Sequence, residues 1–127
     1  MHRSPIHSTT MDQIDKQLLK GSMATILLSV LSRKEMYGYE IIKAVEKETD
    51  GGFQPKEGTI YPILHELESE GAISARWYGG VGARERKYYR ITAAGRKLLE
   101  RKRNDWLNFR TVVDRFLSRS CLKEEPA

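Results

Sequence analysis

Three stretches of the chain place apolar residues three and four positions apart, which is the spacing of a helix with one buried face. The first predicted helix covers roughly residues 12–32, and a threonine and a glutamine at its start have capping-box spacing. The second starts at Tyr37 or Gly38 and is ended by the Asp-Gly-Gly run at residues 50–52. A third helix lies within residues 54–71, and two helices joined by a short glycine-containing turn predict a helix-turn-helix.

The third helix has two chemically different sides. Its apolar row consists of Ile60, Ile63, Leu64 and Leu67. The residues toward the other side or its flanks are Thr59, Tyr61, Pro62 and His65. We expect the helix to begin at Lys56 or Glu57, because Pro62 then lies near the first turn, where its missing N–H has little use. Acidic residues gather at the far end, so only the first half of the helix suits the approach of a polyanion.

Two later stretches alternate apolar and polar positions, which is the period of a half-buried strand. They cover residues 73–78 and 86–92, and both are rich in aromatic side chains. The loop between them contains three glycines, and Arg84, Arg86 and Lys87 lie at its far edge. These features predict a β-hairpin wing whose tip presents positive charge to a phosphate backbone.

Two further expectations concern the neighbourhood of this hairpin. Arg76 and Arg90 lie on its strands and are expected to be cross-strand partners of acidic residues. Residues 33–36, between the first two helices, are predicted to form a polar turn.

A long helical pattern follows Thr92, whose hydroxyl is the predicted N-cap. In heptad register, two positions of this helix are almost entirely apolar, which predicts a seam against a second helix. The seam residues are Leu99, Lys102, Trp106, Phe109, Val113 and Phe116, of which only Lys102 is polar. This helix is predicted to span residues 93–119, with a frayed tail over 120–127, and residues 1–10 are predicted to form a flexible arm.

Composition and charge exclude several classes of protein. The chain has 127 residues and a net charge of +5, which suits one domain and permits nucleic-acid binding. Its single cysteine, Cys121, excludes an intrachain disulfide framework, and no histidine or cysteine spacing suits a metal such as zinc. No cysteine–histidine pairing or dinucleotide-binding loop supports an enzyme or a cofactor. The apolar stretches are too short to span a membrane and there is no signal peptide, so we expect a cytoplasmic protein.

In this order, the elements predict a mainly α fold with a small β-hairpin: a winged helix-turn-helix over residues 11–92 plus a long C-terminal dimerisation helix. Four motifs carry a family resemblance: residues 18–22 (Leu-Leu-Lys-Gly-Ser), 37–41 (Tyr-Gly-Tyr-Glu-Ile), 58–62 (Gly-Thr-Ile-Tyr-Pro) and 84–95. Together they resemble the PadR family of bacterial transcriptional regulators, in the small form with one C-terminal helix. The resemblance implies a homodimeric repressor of operator DNA, usually released by a small molecule, but it does not supply the inducer.

The predicted DNA-binding residues lie on the third helix and the wing. They are Lys56, Thr59, Tyr61, Pro62, His65, Arg84, Arg86 and Lys87. The expected partner is double-stranded DNA with a pseudo-palindromic operator, whose half-sites lie about one helical turn or a multiple of it apart. A plainer interpretation stays open for each group: Tyr61 as a half-buried core aromatic, His65 as a solvated histidine, and the cations as the charges of a solvated strand.

Two interpretations also stay open for Trp106. It can anchor the dimer seam, or the Trp106 side chains of two subunits can wall a pocket for a flat aromatic effector. The second hypothesis follows from the presence of a large aromatic ring and Lys102 in the seam. A uniform aliphatic zipper would contain neither an aromatic ring nor a lysine. For the whole chain, the alternative is a winged-helix module that binds protein without specific DNA binding, because a fold alone does not determine function.

Overall fold

The computed structural model describes residues 16–79, 82 and 84–123. The helices are α1 (Lys16–Leu31), α2 (Gly38–Glu48), α3 (Glu57–Ser69) and α4 (Ala93–Lys123). The strands are β1 (Met36–Tyr37), β2 (Ile73–Tyr78) and β3 (Arg86–Ile91). The predicted arm, the capping pair before the first helix and residues 124–127 of the predicted tail lie outside the described residues.

Helix α1 is the centre of the core, since it contacts each of the other three helices and β3. The largest fully buried side chains come from all three of the first helices and from β2: Met23, Leu27, Leu28, Leu31, Ile41, Ile60, Leu64 and Ile73. The predicted apolar faces of α2 and α3 are therefore the faces that pack on α1. Leu18 is different, because its side chain is 67% exposed although the sequence pattern assigned it to the apolar face of α1.

The sheet contains one strand that the sequence pattern did not predict. Its order is β1-β3-β2, with both pairings antiparallel. Residues 33–36 were expected to form a polar turn, but Met36 is buried and pairs with Tyr89, and Tyr37 pairs with Tyr88. A strand of two residues is too short to show an alternating pattern. This strand forms because Met36 is buried and because the segment pairs with β3. Both are contacts between residues distant in the sequence.

Helix α3 ends in a Schellman motif that directs the chain into the wing. Gly71 has a φ of 81°, a left-handed conformation that favours glycine. The Ala72 N–H donates to the Leu67 carbonyl at 2.9 Å, and the Gly71 N–H donates to the Glu68 carbonyl at 3.0 Å. These two bonds satisfy carbonyls that the last turn would otherwise leave unpaired. The predicted stop at Gly71 is confirmed.

Thr92 fixes the start of α4 against this same turn. Its Oγ1 accepts a hydrogen bond from the Gly95 N–H at 3.0 Å, which confirms the predicted N-cap. The same hydroxyl donates to the Gly71 carbonyl at 2.6 Å. Gly95 packs so closely that a side chain there would overlap the Ala72 carbonyl. The orientation of α4 relative to α3 is therefore set by backbone contacts.

Helix α4 continues far beyond the core. Its first turns pack against the core through Leu98 and Leu99. The helix then runs to Lys123, so residues 120–123 are helical and the predicted end near Arg119 is four residues too early. Among the described residues, no helix is long and apolar enough to cross a membrane.

Candidate nucleic-acid interface

Helix α3 presents its polar side to solvent because its apolar side is fixed in the core. Ile60 and Leu64 are both completely buried. The predicted DNA-binding residues of this helix and its N-cap are all exposed: Lys56, Thr59, Tyr61, Pro62 and His65. Pro62 is the sixth residue of the helix and not part of its first turn, so it removes the N–H that would otherwise bond the Gly58 carbonyl.

Tyr61 combines a packed ring with a partly exposed hydroxyl. Its side chain is 39% exposed, and its ring lies against the start of α2. A methyl group at Gly38 would overlap the Tyr61 hydroxyl and lie 2.6 Å from the ring carbon Cζ. Burial raises the pKa of the Tyr61 phenol above its ordinary value of 10.0, and Glu57 and Tyr89 add to this effect. At neutral pH the hydroxyl is therefore protonated and can donate to an anionic oxygen.

The outer face of the sheet carries a row of aromatic rings in contact, one pair stacked and two pairs edge to face, which we call the tyrosine row. Its members are Tyr39, Tyr37, Tyr88 and Tyr78, with successive ring centroids 6.4, 5.3 and 5.0 Å apart. Three cations lie over these rings: Lys43 over Tyr39, Arg86 over Tyr37 and Arg76 over Tyr78. Each aromatic pair of this kind contributes roughly 0.5–1.5 kcal/mol beyond its buried area. The row connects both strands of the wing to the start of α2.

Lys87 lies on the opposite face of the sheet from the tyrosine row. Its Nζ is 3.4 Å from the Glu68 carboxylate, so this ion pair connects the wing to the end of α3. The same Nζ lies 5.3 Å from the centre of the Tyr89 ring. One of the predicted phosphate-binding cations is therefore already neutralised within the chain.

The two strand arginines have different partners. Arg76 pairs with Glu35 at 3.5 Å, an acidic partner that lies just before β1 and not on a neighbouring strand. Arg90 donates instead to the Ser74 hydroxyl at 3.3 Å. The expectation of an acidic cross-strand partner is wrong for both, because the acidic side chain near Arg76 comes from a turn and the side chain near Arg90 is a serine.

Helix α3 and the wing share one opening, which we call the wing cleft. It has a volume of about 290 Å³. Its lining includes Tyr37, Gly38, Tyr61, Trp77, Arg86 and Lys87. Three of the predicted DNA-binding residues, Tyr61, Arg86 and Lys87, are thus brought together. Arg84 is exposed in the loop at the end of the hairpin.

The predicted seam on α4 is largely uncovered. Beyond Leu99, which packs on the core, its aromatic members are exposed, with Phe109 at 62% and Phe116 at 67%. Leu107, Val112 and Leu117 are exposed as well and widen the apolar surface beyond the two heptad positions. Lys102, Asp105, Trp106 and Phe109 face Leu18 of α1 across a groove of about 390 Å³, which we call the seam groove.

No group of histidine, cysteine and acidic side chains within residues 16–79, 82 and 84–123 could hold a metal ion.

Comparison with known proteins decides the family. Residues 27–101, more than half of the chain, match the family described as transcriptional regulator PadR-like. The chain belongs to the PadR-like family of transcriptional regulators. Members of this family regulate transcription and are not enzymes.

Individual PadR-like relatives agree with this assignment. The negative transcriptional regulator PadR of Bacillus subtilis is 31% identical over 110 residues, which are 80% of this chain and 58% of that protein. The regulator Rv3488 of Mycobacterium tuberculosis is 40% identical over 88 residues, which are 69% of this chain and 78% of that protein. The chain spans 38% of a third relative, the Escherichia coli regulator YqjI.

Solved structures confirm the predicted fold. A transcriptional regulator from Clostridium thermocellum superposes with a TM-score of 0.74 at 34% identity, covering 80% of this chain and 98% of its own. A PadR-like regulator from Bacillus cereus superposes with a TM-score of 0.69 at 33% identity, covering 80% and 97%. The predicted winged helix-turn-helix with a long C-terminal helix is the PadR-like fold.

Sequence reasoning missed three residues around the PadR-like wing. Trp77 follows the apolar face of β2, yet it is 62% exposed in the wing cleft. Gly38 was assigned only to the start of a helix. The Tyr61 side chain occupies the space that a side chain at position 38 would need. Glu68 was grouped with the acidic end of α3 and not with Lys87. Only the tryptophan leaves a sequence signal, a bulky aromatic close to the glycine-rich loop.

Proposed function

We propose that this PadR-like regulator binds a specific site on double-stranded DNA as a homodimer. The start of α3 lies in the major groove and the wing contacts the flanking backbone, which is the usual docking of such a motif. The observation that carries the proposal is the wing cleft, because it places Tyr61 of α3 and Arg86 of β3 on one surface. Such a regulator acts in the cytoplasm, where bacterial DNA lies.

The exposed groups divide into backbone and base contacts. Lys56, Arg84 and Arg86 supply positive charge for phosphates, and the Tyr61 hydroxyl supplies a neutral donor. Thr59 and His65 are exposed on α3, and their side chains have the donors and acceptors needed to read base edges. Lys87 contributes less charge than its position in the sequence indicates, because Glu68 already pairs with it.

The dimer follows from the uncovered surface of α4. A contiguous set of exposed apolar side chains on one helix is typical of a protein–protein interface. Two antiparallel or crossing α4 helices would bury Trp106, Phe109 and Phe116 and hold two winged-helix heads, each comprising α1–α3 and the sheet. Because the two heads are related by two-fold symmetry, the operator is pseudo-palindromic.

We also infer that the regulator is a repressor released by a flat aromatic effector. The Bacillus subtilis relative is named a negative regulator, which supports the direction of control. The seam groove supplies Trp106 and Phe109 with ring centroids 6.3 Å apart, and Lys102 and Asp105 as polar groups at its edge. An effector changes DNA affinity only if it prefers one of two separations of the heads.

Selection of bound duplexes from a random DNA library at fixed salt tests the proposal. The expected product is an inverted repeat whose half-sites are one or two helical turns apart. Enrichment of no sequence, together with an absence of salt-dependent DNA binding, would contradict DNA recognition. It would favour the alternative of a winged-helix module that binds another protein through α4.

Titration of tryptophan fluorescence with planar aromatic compounds tests the effector hypothesis separately. Quenching is expected with the wild-type chain. For Trp106→Ala, whose remaining Trp77 lies in the wing cleft, titration calorimetry is expected to show a loss of affinity for the compound. Trp77→Phe serves as the control, since it removes the other tryptophan of the chain and reports only the Trp106 signal. Unchanged affinity of Trp106→Ala would exclude a pocket between two Trp106 side chains.

A further inference from the structure

We propose that the wing cleft binds the sugar–phosphate backbone of one DNA strand at the edge of each half-site, with the Trp77 indole packed against a deoxyribose. This inference rests on the proposed DNA-binding function and extends it to Trp77, a side chain that none of the predicted contacts included. Trp77 was not among the predicted DNA-binding residues, and Gly38 and Tyr37 shape the cleft around it.

The cleft exists because β1 is so short. Its two residues pair with Tyr89 and Tyr88 of β3, and the chain then turns into α2 at Gly38. The next residues of β3 toward the hairpin loop, Lys87 and Arg86, are therefore paired on only one side, with Trp77 and Tyr78 of β2. An open strand edge, the start of a helix and the Tyr61 ring thus enclose the opening on three sides.

Trp77 is 62% exposed, more than any other large apolar side chain that the structure describes in α2, α3 or the sheet. It lies on the core-facing side of the sheet, in register with Ala75 and Ile73, but beyond the end of the core. More than half of this side chain is exposed, so much of its apolar surface is available to a partner. An indole offers a flat face for a sugar ring and an Nε1–H donor for a phosphate oxygen.

The charges of the cleft suit one phosphodiester. Lys87 is compensated by Glu68, which leaves Arg86 as the uncompensated cation of the lining. Its guanidinium is held 4.6 Å from the Tyr37 ring centre, and its N–H groups remain able to donate to an anion. The protonated Tyr61 hydroxyl adds a neutral donor. A DNA backbone carries one negative charge per phosphate, which matches one uncompensated cation.

The position of the cleft favours a DNA strand over a free small anion. It opens between α3 and the wing, the two elements proposed to contact DNA, so a strand passing from one to the other crosses it. At about 290 Å³, the cleft is also smaller than the usual pocket for a small molecule.

Operator affinity measured over a salt series, with the duplex selected as described above, tests the role of Trp77. Trp77→Ala is expected to bind the operator about tenfold more weakly, equivalent to about 1.4 kcal/mol for the dimer with its two clefts. Because an indole carries no charge, the slope of log affinity against log salt is expected to stay unchanged. Trp77→Phe keeps a flat ring and is expected to bind more tightly than Trp77→Ala.

Fluorescence of the single-tryptophan variant Trp106→Phe supplies a second measurement that does not depend on Trp77 substitutions. Trp77 emission is expected to change when the operator saturates the protein, and to stay constant in inorganic phosphate or benzoate at matched ionic strength. Constant emission on operator binding, or wild-type affinity of Trp77→Ala, would overturn the inference and leave the proposed function intact. A response to benzoate in place of DNA would also overturn it. Failure of the wild-type chain to bind any duplex would overturn both.

Discussion

The winged-helix head and the distal part of α4 differ in how they treat their apolar side chains: the head buries them, and the distal helix exposes them. In the head, α1 is surrounded by helices and sheet, and the turns that follow α1, α2 and α3 are closed by backbone hydrogen bonds. Along α4 beyond its first turns, large apolar side chains such as Phe109 and Phe116 face solvent. The head can be stable as a single chain. The distal helix cannot bury its apolar face without a second helix packed against it.

In the proposed DNA-bound dimer, this difference divides two tasks. The Schellman motif at Gly71 and the cap at Thr92 link α3, the wing and α4, so each head would hold its proposed DNA-binding groups in one fixed arrangement. The distal helix would set how far apart the two heads lie. A change at the seam would then alter operator binding without altering either head.

The largest expected effect is the loss of the dimer in Phe109→Glu. Placing two carboxylates in an apolar seam removes a buried aromatic anchor from each chain, an effect of about 2–4 kcal/mol per copy at an interface hot spot. Sedimentation equilibrium is expected to show a monomer of 14.6 kDa in place of a dimer. Asn108→Glu introduces the same charge at an exposed neighbouring position outside the seam and is expected to remain dimeric. Equal association of both variants would contradict the seam.

Leu64→Ala is expected to destabilise the head itself by about 2–5 kcal/mol, because it leaves a cavity in a completely buried site. Urea unfolding followed by circular dichroism measures this loss. The matched comparison is Phe116→Ala, which should cost little at concentrations where the chain is monomeric and more as the dimer forms. A large loss for Phe116→Ala in the monomer would mean that the distal helix is packed within its own chain.

Gly38→Ala tests the contact between α2 and α3 with an expected cost of about 1–3 kcal/mol, the usual range for overpacking. The added methyl group overlaps the Tyr61 hydroxyl, so the ring must leave its place in the wing cleft. The double variant Gly38→Ala with Tyr61→Phe removes that hydroxyl and should recover part of the loss. Without any recovery, overlap with the Tyr61 hydroxyl is not the cause.

The smallest expected effect concerns the ion pair between α3 and the wing. Glu68→Gln should cost about 0.2–1 kcal/mol of stability, since the pair is partly solvated. It also frees Lys87 for a phosphate, so the log–log salt slope of DNA binding should steepen by about 0.9 per chain. Glu46→Gln breaks the pair with Lys43 on α2 and serves as the control. An unchanged slope in Glu68→Gln would place Lys87 away from the DNA.

The elements with a long periodic pattern could be predicted from the sequence, and those made by contacts between distant residues could not. The apolar rows of α2 and α3 and the alternation of β2 and β3 are local patterns, and the structure contains all four elements. Strand β1 has only two residues, so nothing periodic marks it. It forms because Met36 is buried beneath β3.

The candidate site divides in the same way. The exposure of Thr59, Pro62 and His65 follows from the helical position of each residue, so the sequence was sufficient to predict it. The wing cleft depends on Gly38 meeting Tyr61, a contact across 23 positions of the chain that no local pattern encodes. The length of α4 was underestimated because its last residues carry no apolar repeat.

Operator affinity across a salt series, compared between the wild-type chain and Phe109→Glu, tests most directly that two identical heads are coupled by α4. The dimer is expected to show about twice the log–log salt slope of the monomeric variant, because it neutralises twice as many phosphates. Affinity for the full operator should fall in the variant, while affinity for an isolated half-site should match that of a single head. Equal slopes and equal operator affinities for the two proteins would contradict this account.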